Sequence, residues 1–199
     1  MEILLLRHGE TEKNVKNVTH KHGEDTRLNE VGREQARRLA EVCRDHRVQK
    51  VYCSPETRAM ETAGIIAEEL DLDTTIVDGL TERHWGDWEG QAWSEIQSHL
   101  QKMSLDERRK FIPPNGESWE IMEQRLLDAV NEILGQGDVA AVVTHAGALR
   151  ALMPPLKGDA IETSLGYEFD NASVTIFDQE ADELIQTLEN DTSHLRGNL

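Results

Sequence analysis

The sequence predicts an α/β fold in which a mostly parallel central sheet lies between two layers of helices, a three-layer α/β/α arrangement with a small helical cap insertion. Short apolar segments of strand length alternate along the chain with longer segments of helical periodicity. Helices of that length suit the crossovers that parallel strands require. No internal repeat or linker divides the 199 residues, so we predict a single domain over 1–199 with the cap around 91–115.

The first half of the chain is expected to supply three strands and two helices. Its predicted elements are a buried strand at 2–6, a helix at 29–44, a strand at 50–53, a helix from 54 to about 70 and a strand at 74–77. Asn29 is the predicted N-cap of the first helix. Ser54 is predicted to cap the second, with Pro55 in its first turn.

The second half begins with a loop rich in tryptophan, glycine and charge. The predicted elements are this loop at 79–90, a helical segment at 91–110, a helix at 117–134, a strand at 138–143, a helix at 146–156 and an edge hairpin of strands at 172–178 and 183–189. The helical segment forms the expected cap. Among the tryptophans, Trp93 and Trp119 are interpreted as packing residues.

The charge balance restricts the partners of the protein. The chain has 21 basic and 38 acidic residues, a net charge of −17 that repels nucleic acid and anionic membranes. No segment approaches the roughly 20 apolar residues of a membrane span, and the N-terminus lacks the features of a signal peptide, so a cytoplasmic location is expected. An anionic substrate would therefore need a local positive pocket.

Basic side chains follow three of the predicted strands. Arg7 and His8 follow the first strand, Arg58 lies one helical turn after the second, and His145 follows the strand at 138–143. Because open α/β sheets bind ligands beyond the carboxyl ends of their strands, these four side chains should converge on one edge of the sheet. Taken singly, each has a structural explanation, and it is their joint placement that indicates a site.

This combination of residues is typical of phosphoryl transfer. Arginine grips two phosphate oxygens at once and stays charged. Neutral histidine can attack phosphorus through one ring nitrogen while a backbone carbonyl holds the other, so His8 is a candidate nucleophile and His145 a candidate donor to the phosphate oxygens. Glu82 in the tryptophan-rich loop is the candidate proton donor for the leaving group.

Several segments resemble the histidine phosphatase superfamily, the phosphoglycerate-mutase-like enzymes. They include LLLRHGETEKN at 4–14, CSPETRAMETA at 53–63, LTERHWGDWEG at 80–90 and VVTHAGALRAL at 142–152. The resemblance implies a phosphoglycerate-mutase-like fold and a phosphohistidine intermediate, without a metal or other cofactor. The site residues it implies are His8 as nucleophile, Glu82 as proton donor, and Arg7, Asn14, Arg58, His145 and Ala146 around the phosphate.

The resemblance is strongest to the phosphatase branch, and in particular to α-ribazole phosphatases and broad-specificity phosphatases. The loop reads GDWEG, and the segment SLDERRKFIPPNGES lacks the tyrosine pattern of the mutases. We therefore expect a metal-independent phosphomonoesterase acting on a small phosphorylated metabolite such as α-ribazole phosphate, or on a broad range of esters. The alternatives are a phosphoglycerate mutase and a non-catalytic phospho-ligand binder, and a homodimer is compatible with the sequence.

The segment after the first motif departs from the family pattern. The family often has an arginine and a Gln-Gly pair there, whereas this chain has His20, Lys21 and His22. These side chains either contact substrate or belong to a solvated loop, and the sequence leaves both interpretations open.

Overall fold

Within residues 1–180 and 183–196, which the computed structural model describes, six strands form one central sheet. The strands are β1 (Glu2–Arg7), β2 (Lys50–Cys53), β3 (Thr74–Ile76), β4 (Ala140–Thr144), β5 (Val174–Glu180) and β6 (Glu183–Asp191). Their order is β3-β2-β4-β1-β5-β6. The first four strands are parallel to one another, β5 pairs antiparallel with β1, and β6 pairs antiparallel with β5. The predicted mostly parallel sheet with an edge hairpin is confirmed.

Helices cover both faces of this sheet. They are α1 (Glu12–Val15), α2 (Glu30–Asp45), α3 (Thr57–Leu70), α4 (Trp93–Leu100), α5 (Leu105–Lys110), α6 (Trp119–Leu134) and α7 (Ala146–Lys157). Alternate side chains of β1 point to opposite layers: Leu4 and Leu6 pack with α2 and α3, whereas Ile3 and Leu5 pack with α6 and α7. None of the helices in the described ranges is long and apolar enough to cross a membrane.

Two predicted helix starts have different outcomes. Asn29 does cap α2, since its side chain accepts a hydrogen bond from the backbone N–H of Gly32 at 2.8 Å. The prediction for Ser54 is wrong: α3 begins at Thr57, and Glu56 precedes it without a side-chain cap. Ser54 lies ahead of the first turn: its hydroxyl donates to the Glu56 carboxylate, and its oxygen accepts from the Glu56 N–H at 3.4 Å and faces Nε2 of His145 at 2.9 Å.

The segment predicted to be helical at 91–110 contains two helices. α4 ends at Leu100, and α5 begins after Ser104, whose side chain accepts from the backbone N–H of Glu107 in a capping box. The four-residue helix α1 was not predicted. It is capped by Thr11, which forms the same reciprocal arrangement with Asn14.

The sheet register determines which residues meet at its carboxyl edge. β4 lies between β2 and β1, and Arg7 at the end of β1 is paired with Thr144 at the end of β4. Beyond these ends, the N–H of His8 donates to the Thr144 carbonyl and the N–H of Ser54 donates to the Val143 carbonyl, both at 3.0 Å. Residues that follow the three strands are thereby held side by side.

Candidate active site

The His8 ring is oriented by the backbone carbonyl of the next residue. Its Nδ1 lies 2.7 Å from the carbonyl oxygen of Gly9, and the residue is only 2% exposed. Because a carbonyl only accepts, Nδ1 carries the proton and Nε2 keeps its lone pair. Burial, reinforced by the charges of Arg58 and His145, holds the pKa of His8 well below its usual value. The ring is therefore neutral and capable of nucleophilic attack.

Two guanidinium groups lie near this imidazole, that of Arg58 fully buried and that of Arg7 half-buried. Arg58 is 1% exposed in the first turn of α3, and Arg7 donates from one Nη to the Phe169 carbonyl at 2.6 Å. Burial lowers the pKa of Arg7 to about 10, which still leaves it charged at neutral pH. Among the described residues, Nε of Arg7 and both Nε and one Nη of Arg58 have no hydrogen-bond partner. Buried donors of this kind are costly unless a ligand accepts from them.

His145 faces His8 from the adjacent strand end. Their ring centroids are 5.2 Å apart, within the span of one phosphoryl group, and His145 is fully buried. Its Nε2 lies 2.6 Å from Glu56 Oε2 and 2.9 Å from Ser54 Oγ, while Nδ1 has no partner in the described part of the chain. Burial lowers the pKa of His145, and the Glu56 carboxylate opposes that shift.

Sequence reasoning missed Glu56. This carboxylate is 7% exposed, and it accepts from Ser54, contacts His145 and lies 3.5 Å from an Nη of Arg58. Burial alone would raise the pKa of Glu56, but the charges of His145 and Arg58 and the hydrogen bonds from His145 and Ser54 outweigh it and lower the pKa. A single glutamate among 38 acidic residues carries no sequence signal, so only its position in space identifies it.

Glu82 is held by two backbone N–H groups, one in the first turn of α7 and one from the next residue of its own loop. Its Oε2 accepts from Gly147 at 2.9 Å and its Oε1 accepts from Arg83 at 2.8 Å. A Cβ added at Gly147 would overlap the carboxylate, so the close approach requires glycine. Glu82 thus lies at the wall of the cavity, in a position fixed by the fold.

The cavity in front of these groups has a volume of about 380 Å³. Of the site residues predicted from the sequence, four line this cavity: Arg7, Asn14, Glu82 and Ala146. The Oδ1 of Asn14 accepts from the Thr11 N–H at 3.0 Å and from Asn171 Nδ2 at 3.2 Å, so its NH₂ group is the part that can donate to a ligand. His8, Arg58 and His145 lie behind this lining, almost completely buried.

The three residues of the divergent segment separate in space. His20 lines the cavity, 5.9 Å from the His8 ring in an edge-to-face arrangement, and its Nε2 lies 3.0 Å from Thr11 Oγ1. Lys21 is exposed, and His22 packs against His84 at a ring separation of 4.9 Å. The substrate-contact interpretation therefore fits His20 alone.

A second cavity of about 290 Å³ adjoins the first. Trp85, Trp93 and Trp119 line both, so the interpretation of Trp93 and Trp119 as packing residues is incomplete. Trp119 is 8% exposed, yet its indole N–H has no partner among the described residues. The charged residues that line the second cavity are Arg83, Arg108, Arg109, Arg150 and Glu168. In a chain of net charge −17, this is a local excess of positive charge.

No group of three or more His, Cys, Asp or Glu side chains in the described ranges is arranged to hold a metal ion. The donors that the site presents are guanidinium, imidazole and backbone N–H groups. Such donors bind oxyanions.

The chain belongs to the histidine phosphatase superfamily, branch 1, whose family model matches residues 3–192. Its relatives include a metal-independent phosphoserine phosphatase from Arabidopsis thaliana, 34% identical over 98% of this chain and 83% of the relative. A 2,3-bisphosphoglycerate-dependent phosphoglycerate mutase from Methylobacterium sp. is 32% identical over 94% of this chain and 95% of the relative.

A solved structure with a related sequence has the same fold. The α-ribazole phosphatase from Shigella flexneri superposes with a TM-score of 0.84 at 26% identity, covering 96% of both chains. The family match and the phosphatases among these relatives show that the protein is a phosphatase with a phosphoglycerate-mutase-like fold.

Proposed function

We propose that the protein is a metal-independent phosphomonoesterase that forms a phosphohistidine on His8. The observation that carries this proposal is the set of unpaired buried donors around a neutral imidazole. Among the described residues these donors belong to Arg7 and Arg58, and the ring of His145 faces the same space, with its centroid 5.2 Å from that of His8. An oxyanion bound there would satisfy them and lie in reach of the free Nε2.

In the first step Nε2 of His8 attacks phosphorus, and the bond from phosphorus to the ester oxygen breaks. The two arginines and His145 stabilise the charge on the equatorial oxygens. Glu82, in its protonated form, donates its proton to the departing alkoxide. The product alcohol then leaves, and the phosphoryl group remains on His8.

In the second step water attacks the phosphohistidine. Glu82, now a carboxylate, accepts a proton from that water, and the bond from phosphorus to Nε2 breaks. Inorganic phosphate is released, and both His8 and Glu82 return to their starting forms. The backbone contacts that hold Glu82 support this double role because they fix the carboxylate at the cavity wall.

The test is turnover of p-nitrophenyl phosphate in excess EDTA, with the His8→Ala variant as the inactive reference. We expect phosphate release by the wild type and none above background by the variant. A strict requirement for added metal, or equal rates for the two proteins, would refute the proposal.

For the physiological substrate we propose a small phosphorylated metabolite whose leaving group carries an acidic function. The arginines of the second cavity support this, since a carboxylate or second phosphate there would be matched in charge. The competing hypotheses are that the substrate is α-ribazole phosphate, as the sequence resemblance implies, and that the enzyme hydrolyses a broad range of esters. A panel of phosphoserine, phosphoglycerate, α-ribazole phosphate and glycerol phosphate, compared by kcat/KM, distinguishes them.

Mutase activity beside phosphatase activity is the second candidate, supported by the identity to the Methylobacterium enzyme. A mutase would return the phosphoryl group to the substrate rather than to water. Interconversion of phosphoglycerates in the presence of a bisphosphorylated primer, faster than phosphate release, would establish it. We expect phosphate release to dominate.

A further inference from the structure

The Glu56 carboxylate is the most deeply placed anion of the active site, and the steps above do not use it. It contacts three groups at once: the Ser54 hydroxyl, Nε2 of His145 and an Nη of Arg58. Two of these, His145 and Arg58, are the groups proposed to hold the phosphate. A carboxylate that contacts both sits directly behind the phosphate pocket.

The contacts of Glu56 fix the tautomer of His145. Ser54 donates its only hydroxyl proton to Glu56, so its oxygen can only accept from Nε2 of His145, 2.9 Å away. Glu56 Oε2, at 2.6 Å, is likewise only an acceptor. Nε2 therefore carries a proton, and Nδ1, which is buried and has no partner in the described chain, is the ring nitrogen left to meet a ligand.

A lone pair on Nδ1 would repel an unprotonated phosphate oxygen, so tight binding of a dianion is favoured when Nδ1 takes up a proton from solvent. We propose that Glu56 is a positioning residue that holds one proton of His145 on Nε2 and allows Nδ1 to gain another when an oxyanion binds, so that His145 meets the phosphate as an imidazolium. This rests on the proposed function, because it assigns His145 to the phosphate. An imidazolium between two anions is favoured, whereas in the empty site burial and Arg58 disfavour it.

Other charged or titratable groups also act on the His145 ring. They are Arg58 on α3, His8 after β1, Glu82 in the loop before α4, and the more distant His20. Burial and Arg58 oppose protonation of His145, while Glu56 and Glu82 favour it. Of the two carboxylates, Glu56 is the one in contact with the ring.

Tungstate, a stable dianion, is the probe, and nitrogen-15 NMR of the histidine rings is the readout. In the wild type we expect His145 to change from the neutral Nε2–H form to the imidazolium when tungstate binds. In Glu56→Gln we expect it to stay neutral at the same pH, with tungstate affinity reduced about 10- to 100-fold, the range for losing a charge-assisted hydrogen bond. Glu56→Asp keeps the charge and should retain part of the affinity.

Glu61→Gln is the matched control, since it removes a carboxylate from α3, the helix that Glu56 precedes, and that carboxylate pairs with Arg33 at 2.8 Å outside the site. It should bind tungstate as the wild type does. The inference is overturned if His145 in the wild-type complex is neutral, which requires no variant, or if Glu56→Gln leaves both its protonation and the affinity unchanged. Because binding is measured without turnover, a wild type that fails to hydrolyse esters would refute the proposed function alone.

Discussion

The backbone N–H of Gly147 donates to Glu82 Oε2 at 2.9 Å, and a Cβ at position 147 would overlap that carboxylate. The first turn of α7 and the tryptophan-rich loop are thus in direct contact through one hydrogen bond. The absence of a side chain at Gly147 sets where the proposed proton donor lies.

Gly147→Ala should displace Glu82 and slow protonation of the leaving group. We expect kcat for an alkyl phosphate to fall about 10- to 100-fold, with a much smaller loss for p-nitrophenyl phosphate, whose leaving group needs little protonation. Steady-state kinetics on both esters measure this. Gly64→Ala is the control because a Cβ there meets no heavy atom within 4 Å, and it should retain full activity. Equal losses on both esters would show that Glu82 is not the donor.

Arg58→Lys keeps the positive charge but loses the planar fork. We expect kcat/KM to fall about 10- to 100-fold, because the Nε and the one Nη that lack partners among the described residues cannot be replaced by one ammonium. Arg33→Lys is the control, an arginine paired with Glu61 away from the cavity. If Arg58→Lys retained wild-type kcat/KM, bidentate phosphate binding by Arg58 would be excluded.

Stability should fall on the acid side of neutrality because buried histidines resist protonation. Burial, followed by the charges of Arg58 and His145, lowers the pKa of His20 from 6.5 to about 2. Below the unfolded value of 6.5 the unfolded chain binds more protons, so stability is complete above that pH and is lost as the pH falls.

His20→Gln removes this contribution. Urea unfolding should give a free energy that depends less steeply on pH than in the wild type, by at most about 1.4 kcal/mol per pH unit between roughly pH 6.5 and 5. The exposed His99→Gln is the matched control for loss of an imidazole. Identical pH slopes for His20→Gln and the wild type would contradict a desolvated, neutral His20.

Arg108→Gln tests the acidic function proposed for the leaving group. The Nε of Arg108 donates to the Met103 carbonyl at 3.1 Å, and its guanidinium lines the second cavity. We expect KM for phosphoserine or phosphoglycerate to rise about 10-fold, the lower end of the range for losing a charged hydrogen bond, and KM for p-nitrophenyl phosphate to stay within about twofold. A parallel change for all esters would argue against a second anion subsite.

The sequence was sufficient to predict the strands, because runs of apolar residues mark them. It was also sufficient to predict the convergence of the side chains that follow them: Arg7, His8, Arg58 and His145. Apolar runs of strand length define β1, β2 and β4, and the carboxyl-edge rule then places the residues that follow them. The break between α4 and α5 also had a signal, since Ser104 and Glu107 have capping-box spacing. A four-residue helix such as α1 is too short to show periodicity.

The role of Ser54 was predicted wrongly because a local rule competed with a tertiary contact. Serine before proline is a typical helix start. Here, however, the Ser54 hydroxyl donates to Glu56 and its oxygen accepts from Nε2 of His145. The same contacts explain why Glu56 was missed, as its partner His145 is distant in the chain. The positions of Trp85, Trp93 and Trp119 around the two cavities also result from tertiary packing, which the pattern of apolar residues does not specify.

The central claim is that His8 becomes phosphorylated during turnover. Brief reaction of the wild type with an aryl phosphate, followed by alkaline quenching and peptide mass spectrometry, should find an acid-labile, base-stable phosphoryl group on the peptide that contains His8. The label should be absent from His8→Ala and should decay at a rate no slower than turnover. Full activity with no phosphoryl group on His8 at any quench time, or a label on another residue, would contradict the account.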